Sequence, residues 1–188
     1  MLGNEHTQEG VIDAVGSDAE VFAGTLAEGA APAPSLSDIE RAVAFRLAGQ
    51  LYGLPIERVD EIQQLAELLP VPDDDPALVG LIELRGAVIP VLDLRTLVGL
   101  EGVPYTLETP MVFCTAGSHR VCLIVDSVED VVDLPPRSIQ PPSGVYALAD
   151  KMLGTVRLPQ GVLMLLDVDR LVPAAALMLA EAQEVSAG

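Results

Sequence analysis

The stretch Gly80-Leu81-Ile82-Glu83-Leu84-Arg85-Gly86-Ala87-Val88-Ile89-Pro90-Val91-Leu92-Asp93-Leu94-Arg95 is the most informative part of this 188-residue chain. It is an apolar segment broken by Arg85-Gly86 and followed by a second apolar run, Val88 to Leu94, that reads as a strand. Glycine permits a positive-φ turn, and the arginine beside it must leave the core or find an acid. Pro90 lacks an amide hydrogen, which places it on an edge strand or at a bulge.

Outward from this stretch the same grammar repeats. Val43, Phe45 and Leu47 alternate with their neighbours, and Ala48-Gly49 turns the chain into Leu51 to Val59, a hairpin signature. Met111 to Thr115, Arg120 to Val125, Val128 to Leu134, Gly154 to Leu158 and Val162 to Val168 are further predicted strands. Short strands with turns every few residues indicate a mostly β fold of small barrels or a sandwich. Ile56, Val59, Ile62, Ala66 and Leu69 recur at helical spacing while Leu51 to Val59 also reads as strand, so strand is expected to about Ile62 and the rest is open. Leu92-Asp93-Leu94 followed by Leu97-Val98 has an echo 74 residues later in Leu166-Asp167-Val168 followed by Leu171-Val172. Two similar half-domains would produce it, and so would chance among common residues.

Composition sets the limits. Half of the residues are hydrophobic but only 3% are aromatic, so the core must be aliphatic. The formal net charge of -18 argues against nucleic acid and against an anionic membrane surface, because both contacts rely on Lys and Arg. Neither of the long apolar runs, Gly161 to Leu166 and Leu171 to Ala180, approaches the roughly 20 residues of a membrane span. Met1 to Gly10 lacks the charges and apolar stretch of a secretory signal, so a cytoplasmic protein is expected. Residues 1 to 40 hold eight acids and no Lys or Arg, with no sustained hydrophobic period, and read as a disordered acidic extension. The folded domain is expected over residues 41 to 173. Residues 174 to 188 are read as a C-terminal helix and tail, packed through Leu177, Met178 or Leu179.

Chemistry-bearing patterns are sparse. Asp73-Asp74-Asp75-Pro76 clusters carboxylates, but a calcium loop's spacing is missing, and Asp75 as an N-cap before Pro76 at the first helical position explains the run. Asp126, Glu129, Asp130 and Asp133 have no nucleophile or oxyanion donor nearby, so a solvated strand face is favoured over a small carboxylate-based β-barrel enzyme. His6 and His119 lack ligand-like neighbours. Cys114 and Cys122 lie in apolar segments and are read as two buried thiols.

The quoted stretch closely resembles the CheW family's pattern of a glycine, an apolar pair, Leu-Arg-Gly, a strand with an internal proline, and Asp-Leu-Arg. The resemblance covers about residues 41 to 173. Leu51-Tyr52-Gly53-Leu54-Pro55-Ile56 with Val59-Asp60-Glu61-Ile62 resembles the family's first hairpin and Val-x-Glu-Ile signature. Leu69-Pro70-Val71-Pro72, Val121 to Val128 and Leu163 to Leu171 resemble its later segments. The resemblance implies two five-stranded SH3-like β-barrel lobes packed together, with short helices, no active site, no cofactor and no metal. It also implies an adaptor role in chemotaxis signal transduction, coupling the regulatory domain of a CheA-type histidine kinase to the cytoplasmic tip of chemoreceptors at membrane-associated arrays. A scaffold or localisation protein of the same fold, in a surface-motility or other chemosensory-like pathway, is the alternative. By the same resemblance Glu61 and Arg85 form an ion pair at a receptor-binding groove, with Gly80, Ile62 and Val131 lining or shaping it. The chain departs from the pattern at Glu83 and Cys122, and Glu83 offers Arg85 a competing partner.

Overall fold

A computed structural model describes residues 35–71, 75–144 and 147–186. The expected acidic extension lies outside these residues as far as residue 34, as do His6, Asp73 and Asp74. Ser35 to Glu40 are described, with Ile39 buried at the domain's start and the Glu40 carbonyl accepting from Leu134 N.

Ten strands form two five-stranded sheets. In chain order they are β1 (Arg41–Leu47), β2 (Gln50–Pro55), β3 (Val59–Gln64), β4 (Leu78–Leu84), β5 (Ala87–Asp93), β6 (Pro110–Ala116), β7 (His119–Ile124), β8 (Ser127–Asp133), β9 (Met152–Leu158) and β10 (Gly161–Leu166). One sheet runs β8-β1-β2-β10-β9 and the other β3-β6-β7-β5-β4. Three short helices follow the strands: α1 (Leu94–Leu97), α2 (Val168–Leu171) and α3 (Ala174–Ser186).

The Leu-Asp echo is a structural repeat. Asp93 caps α1 by accepting from Arg95 N and Thr96 N, and Asp167 caps α2 by accepting from Asp169 N. The register repeats residue for residue. Ile62 pairs with Val112 as Val131 pairs with Val43, and Val91 pairs with Cys122 as Leu165 pairs with Gly53. Even the bulges recur, between Val59 and Glu61 on β3 and opposite Val43 and Phe45 on β8. The repeats are exchanged: hairpin β1–β2 of the first half completes the sheet of β8, β9 and β10, while β6–β7 completes that of β3, β4 and β5.

Exchange explains why both hairpins are apolar on both faces. Ala42, Ala44 and Leu51 point into their own lobe with Leu163 and Leu165, whereas Phe45, Leu47, Tyr52 and Leu54 join the central core between the lobes. Met111, Phe113 and Cys122 likewise fill the second lobe, and Val112, Cys114 and Leu123 face the central core. A strand buried on both sides loses the alternation that one solvated face would impose. Cys114 and Cys122 are therefore free, buried, and on opposite faces of their hairpin, with burial pushing both thiols well above their ordinary range.

Several expectations need correction. The barrels are not closed: β3 runs on to meet β4 through a single bridge, Leu69 to Leu81, and β8 meets β9 through Gln140 and Thr155. Leu51 to Val59 is not one strand, because a 3-10 turn at Ile56–Arg58 carries the chain from one sheet to the other, and β3 then extends past Ile62 to Gln64. Pro90 lies in an inner strand, one residue before the ladder to β7 begins at Val91. Asp75 caps a turn rather than a helix, accepting from Ala77 N at 2.9 Å as the chain enters β4 directly. Val168 belongs to α2, not to the last strand. α3 packs on β5 and β7 through Ala176, Leu177 and Ala180, leaving Met178 exposed. Asp126 is not on a solvated face.

Asp126 belongs to one of two related ion pairs. Arg95 grips it through Nε at 2.6 Å and Nη2 at 2.5 Å, and Asp126 also accepts from Ala48 N, in the β1–β2 turn, at 2.8 Å. At the equivalent place Arg58 Nη2 donates to Asp169 at 2.6 Å, and Asp169 accepts from Gly117 N, in the β6–β7 turn, at 2.7 Å. Arg95 and Asp169 occupy matching positions after the two Asp caps, while Asp126 and Arg58 lie one residue apart in the repeat register, so the two pairs are analogous contacts of opposite polarity. Each ties the helix after one sheet's inner strand to a hairpin turn of the other sheet.

Two predictions follow from this packing. A Cβ on Gly154 would lie 2.4 Å from the Gln140 carbonyl oxygen, and one on Gly80 would lie 2.8 Å from that of Leu69. Gly154→Ala is expected to cost about 1–3 kcal/mol in chemical denaturation, more than Gly80→Ala, since both Cβ atoms meet unyielding backbone and the overlap at Gly154 is the deeper. Arg95 holds the Asp126 carboxyl below its ordinary value, chiefly through their hydrogen bonds. That stability is present above the carboxylate's unfolded pKa and is lost as pH falls through its lowered folded value. Asp126→Asn is expected to lose about 2 kcal/mol near neutral pH and to converge on the parent protein in denaturation as pH falls below the ordinary carboxylate range.

Candidate functional site

Arg85 and Gly86 form the two-residue turn between β4 and β5, with φ of 54° and 82°. Both values are positive, the type I′ geometry that twists with the strands and favours Asn or Gly at its first position. Arginine is an uncommon choice there, a conformation shared among non-glycine residues by Ala48 at 49°, in the β1–β2 turn, and Arg137 at 62°. The turn leaves the Arg85 side chain 75% exposed, with Nη2 donating to Glu61 Oε2 at 2.9 Å.

Glu61 stands on β3, an edge strand whose residues alternate between half-buried and exposed. Its side chain is 20% exposed and takes three donors: Arg85, Arg120 Nη2 to Oε1 at 3.2 Å, and Gln63 Nε2 to Oε2 at 3.2 Å. Arg120, on β7, also reaches Asp60 through Nε at 3.4 Å. Arg85 therefore pairs with Glu61, and Glu83 is exposed on β4. Glu61, Arg85 and Arg120 form one network in which the acid is the shared centre.

Ile62 and Val131 are 42% and 43% exposed, large apolar side chains left facing solvent on the edge strands β3 and β8. They occupy equivalent positions of the repeat. Gly80 is buried, and its role is to admit the close backbone approach of Leu68 and Leu69 to β4; it shapes the lobe from inside. Cys122 is fully buried and faces the lobe interior instead of a groove.

Arg120 and Gln63 were not among the sequence-derived site residues. A signal existed, since Arg120 opens an otherwise apolar strand and must find an acid, but which acid depends on the β6–β7 register. The acids of β8 do not converge: Asp126 faces Arg95, Glu129 pairs with Arg46 at 2.7 Å, and Asp130 accepts from Val131 N. A cavity of about 150 Å³ beside Asp93, Arg95, Tyr105 and Asp126 has its polar groups paired with one another, Tyr105 donating to Asp93 at 2.6 Å. Among the described residues no cluster of three or more His, Cys, Asp or Glu could hold a metal, and no helix is long and apolar enough to cross a membrane. What β3 offers is a charged centre at Glu61 followed by exposed Ile62, a mixture of charge and apolar surface that suits a protein contact.

Comparison with known proteins agrees with this reading. The CheW-like domain profile matches residues 41–176. The chain is 31% identical over 129 residues to the chemotaxis protein CheW of Klebsiella aerogenes, covering 68% of this chain and 78% of that protein. It is 30% identical over 114 residues to protein FrzA of Myxococcus xanthus, covering 60% and 71%. The crystal structure of the scaffolding protein TtCheW from Thermoanaerobacter tengcongensis superposes with a TM-score of 0.68 at 26% identity, covering 73% of this chain and 94% of that one. A two-sheet repeat with exchanged hairpins, a matching profile over most of the chain and relatives of this kind place it together: the chain belongs to the CheW-like domain family of chemotaxis adaptors.

Proposed function

We propose that the protein couples the regulatory domain of a CheA-type histidine kinase to the cytoplasmic tip of chemoreceptors, acting by binding alone, without catalysis, in the cytoplasm at membrane-associated arrays. The receptor contact is assigned to Glu61, Ile62, Arg85 and Val131, with Gly80 shaping the lobe beneath them. The domain that does this spans residues 41 to 173, with an acidic extension before it and a C-terminal helix after it. The observation that carries the assignment is the Glu61–Arg85 ion pair at 2.9 Å beside exposed Ile62. Burying Ile62 and Val131 supplies affinity, while the charges at the rim fix orientation.

The 30% identity to FrzA is compatible with a second reading, an array scaffold or localisation protein of the same fold in another chemosensory-like pathway. Kinase activation in a reconstituted mixture of kinase, receptor and this protein separates the two, since the adaptor activates and the scaffold does not.

Calorimetry against the kinase regulatory domain and a receptor tip fragment, each alone, tests the proposal. The parent protein is expected to bind both. Arg85→Glu is expected to stay folded, because an exposed pair contributes only about 0–1 kcal/mol, and to lose receptor affinity while keeping kinase affinity. Ile62→Asp is expected to behave likewise. Equal receptor affinities for the parent and both folded variants would remove these residues from the contact.

A further inference from the structure

The repeat supplies an internal control for every residue of the site. Arg120 pairs with Thr115 across β6–β7 as Leu51 pairs with Arg46 across β1–β2, so the two occupy the same position in the two lobes. Leu51 is buried and packs into its lobe's core. The position can thus be filled by an aliphatic side chain, and this fold does not need a cation there. Glu61 matches Asp130, which is exposed and accepts from the neighbouring Val131 N. Arg85 matches the turn residue Pro159, between β9 and β10, where there is no cation at all. Both cations of the network belong to one lobe, at positions whose counterparts, Leu51 and Pro159, hold the fold without them, while the acid keeps an exposed counterpart in Asp130.

Within the network the two arginines are held differently. Arg120 is 32% exposed and bridges Glu61 Oε1 and Asp60, whereas Arg85 is 75% exposed and bonds only Glu61 Oε2. If Arg85 swings away, Glu61 keeps Arg120 and Gln63 as donors, so no half-buried carboxylate is left bare. Without Arg120, Glu61 Oε1 is released, so the guanidinium fork of Arg85 can take it beside Oε2 and would be retained.

We infer that Arg120 is a positioning residue: it anchors Glu61 so that Arg85 is presented, and can be released, to a carboxylate on the docking partner. This rests on the proposed receptor contact. Arg120 touches no partner in this scheme and acts through Glu61.

The full chain carrying Arg120→Leu, the residue of the sister lobe, is compared with Arg120→Lys, Arg85→Gln and the double variant Arg85→Gln/Arg120→Leu. Arg120→Leu is expected to leave the thermal midpoint and kinase-domain affinity unchanged and to weaken binding of the receptor tip fragment about fivefold. The double variant is expected to be no weaker than Arg85→Gln, and Arg120→Lys to retain most of the affinity. Parent-like receptor binding by Arg120→Leu, losses that add in the double variant, or failure of Arg120→Leu to fold would each overturn the inference. A second readout needs no partner: the NMR order parameter of the Arg85 Nε–H in the free protein should rise in Arg120→Leu as Glu61 captures it, and an unchanged value would overturn the inference. If the parent protein does not bind the tip fragment, the proposed receptor contact fails, while the order parameter still decides whether Arg120 controls Arg85.

Discussion

Each lobe of this protein is finished by a hairpin that belongs to the other half of the chain, and most of its architecture follows from that exchange. β1–β2 and β6–β7 are sandwiched between a lobe interior and a shared central core, so neither lobe has its complete sheet without the other. The central core draws on both halves, with Phe45, Leu47 and Leu54 against Leu92, Leu94, Val112, Leu123 and Leu166. Apolar burial is non-directional, but a strand buried on both faces cannot slip by one residue without exchanging its two cores. Register is therefore tightly specified where the exchange occurs and is the feature the two repeats share most closely.

Electrostatics lock what burial assembles. The Arg95–Asp126 and Arg58–Asp169 pairs are analogous contacts of opposite polarity, and in both the carboxylate also takes a hairpin-turn amide from the other sheet. A carboxylate can serve an arginine and a backbone N–H at once, whereas a guanidinium only donates, so whichever side carries the acid must also lie within reach of the turn. Both polarities satisfy that condition because Asp126 and Asp169 each lie beside the turn they cap. The site network breaks this repetition. Arg85 and Arg120 concentrate positive charge in one lobe while the equivalent positions are Pro159 and the buried Leu51, so the fold itself does not require the two cations.

The alternating hairpins and the Leu-Arg-Gly turn were legible along the chain, because turn chemistry acts over two to four residues. Arg85-Gly86 announced its turn, whereas Asp93 and Asp167 showed only as an echo, since the apolar runs around them read as strand through Leu94 and Val168, which begin the helices. The edges of strands were less legible. Leu51 to Val59 looks continuous since Pro55 and Ile56 are apolar, yet the chain changes sheet there, and only pairing with β6 sets β3 apart from β2. Asp75-Pro76 carries a helix-start signal that lost to the ladder between β4 and β5.

From the sequence alone came the aliphatic β composition, the turn positions, the repeated Leu-Asp segments and the family to which Arg85 and Glu61 point, because each of these is written in neighbouring residues. Only the tertiary structure decided that the halves exchange hairpins, that the sheets stop short of closed barrels, that Arg85 chooses Glu61 over Glu83, and that Arg120 holds the same acid. Those outcomes depend on pairings between residues about 24 to 111 apart in the chain, where no local preference operates and the burial of two cores at once selects the register.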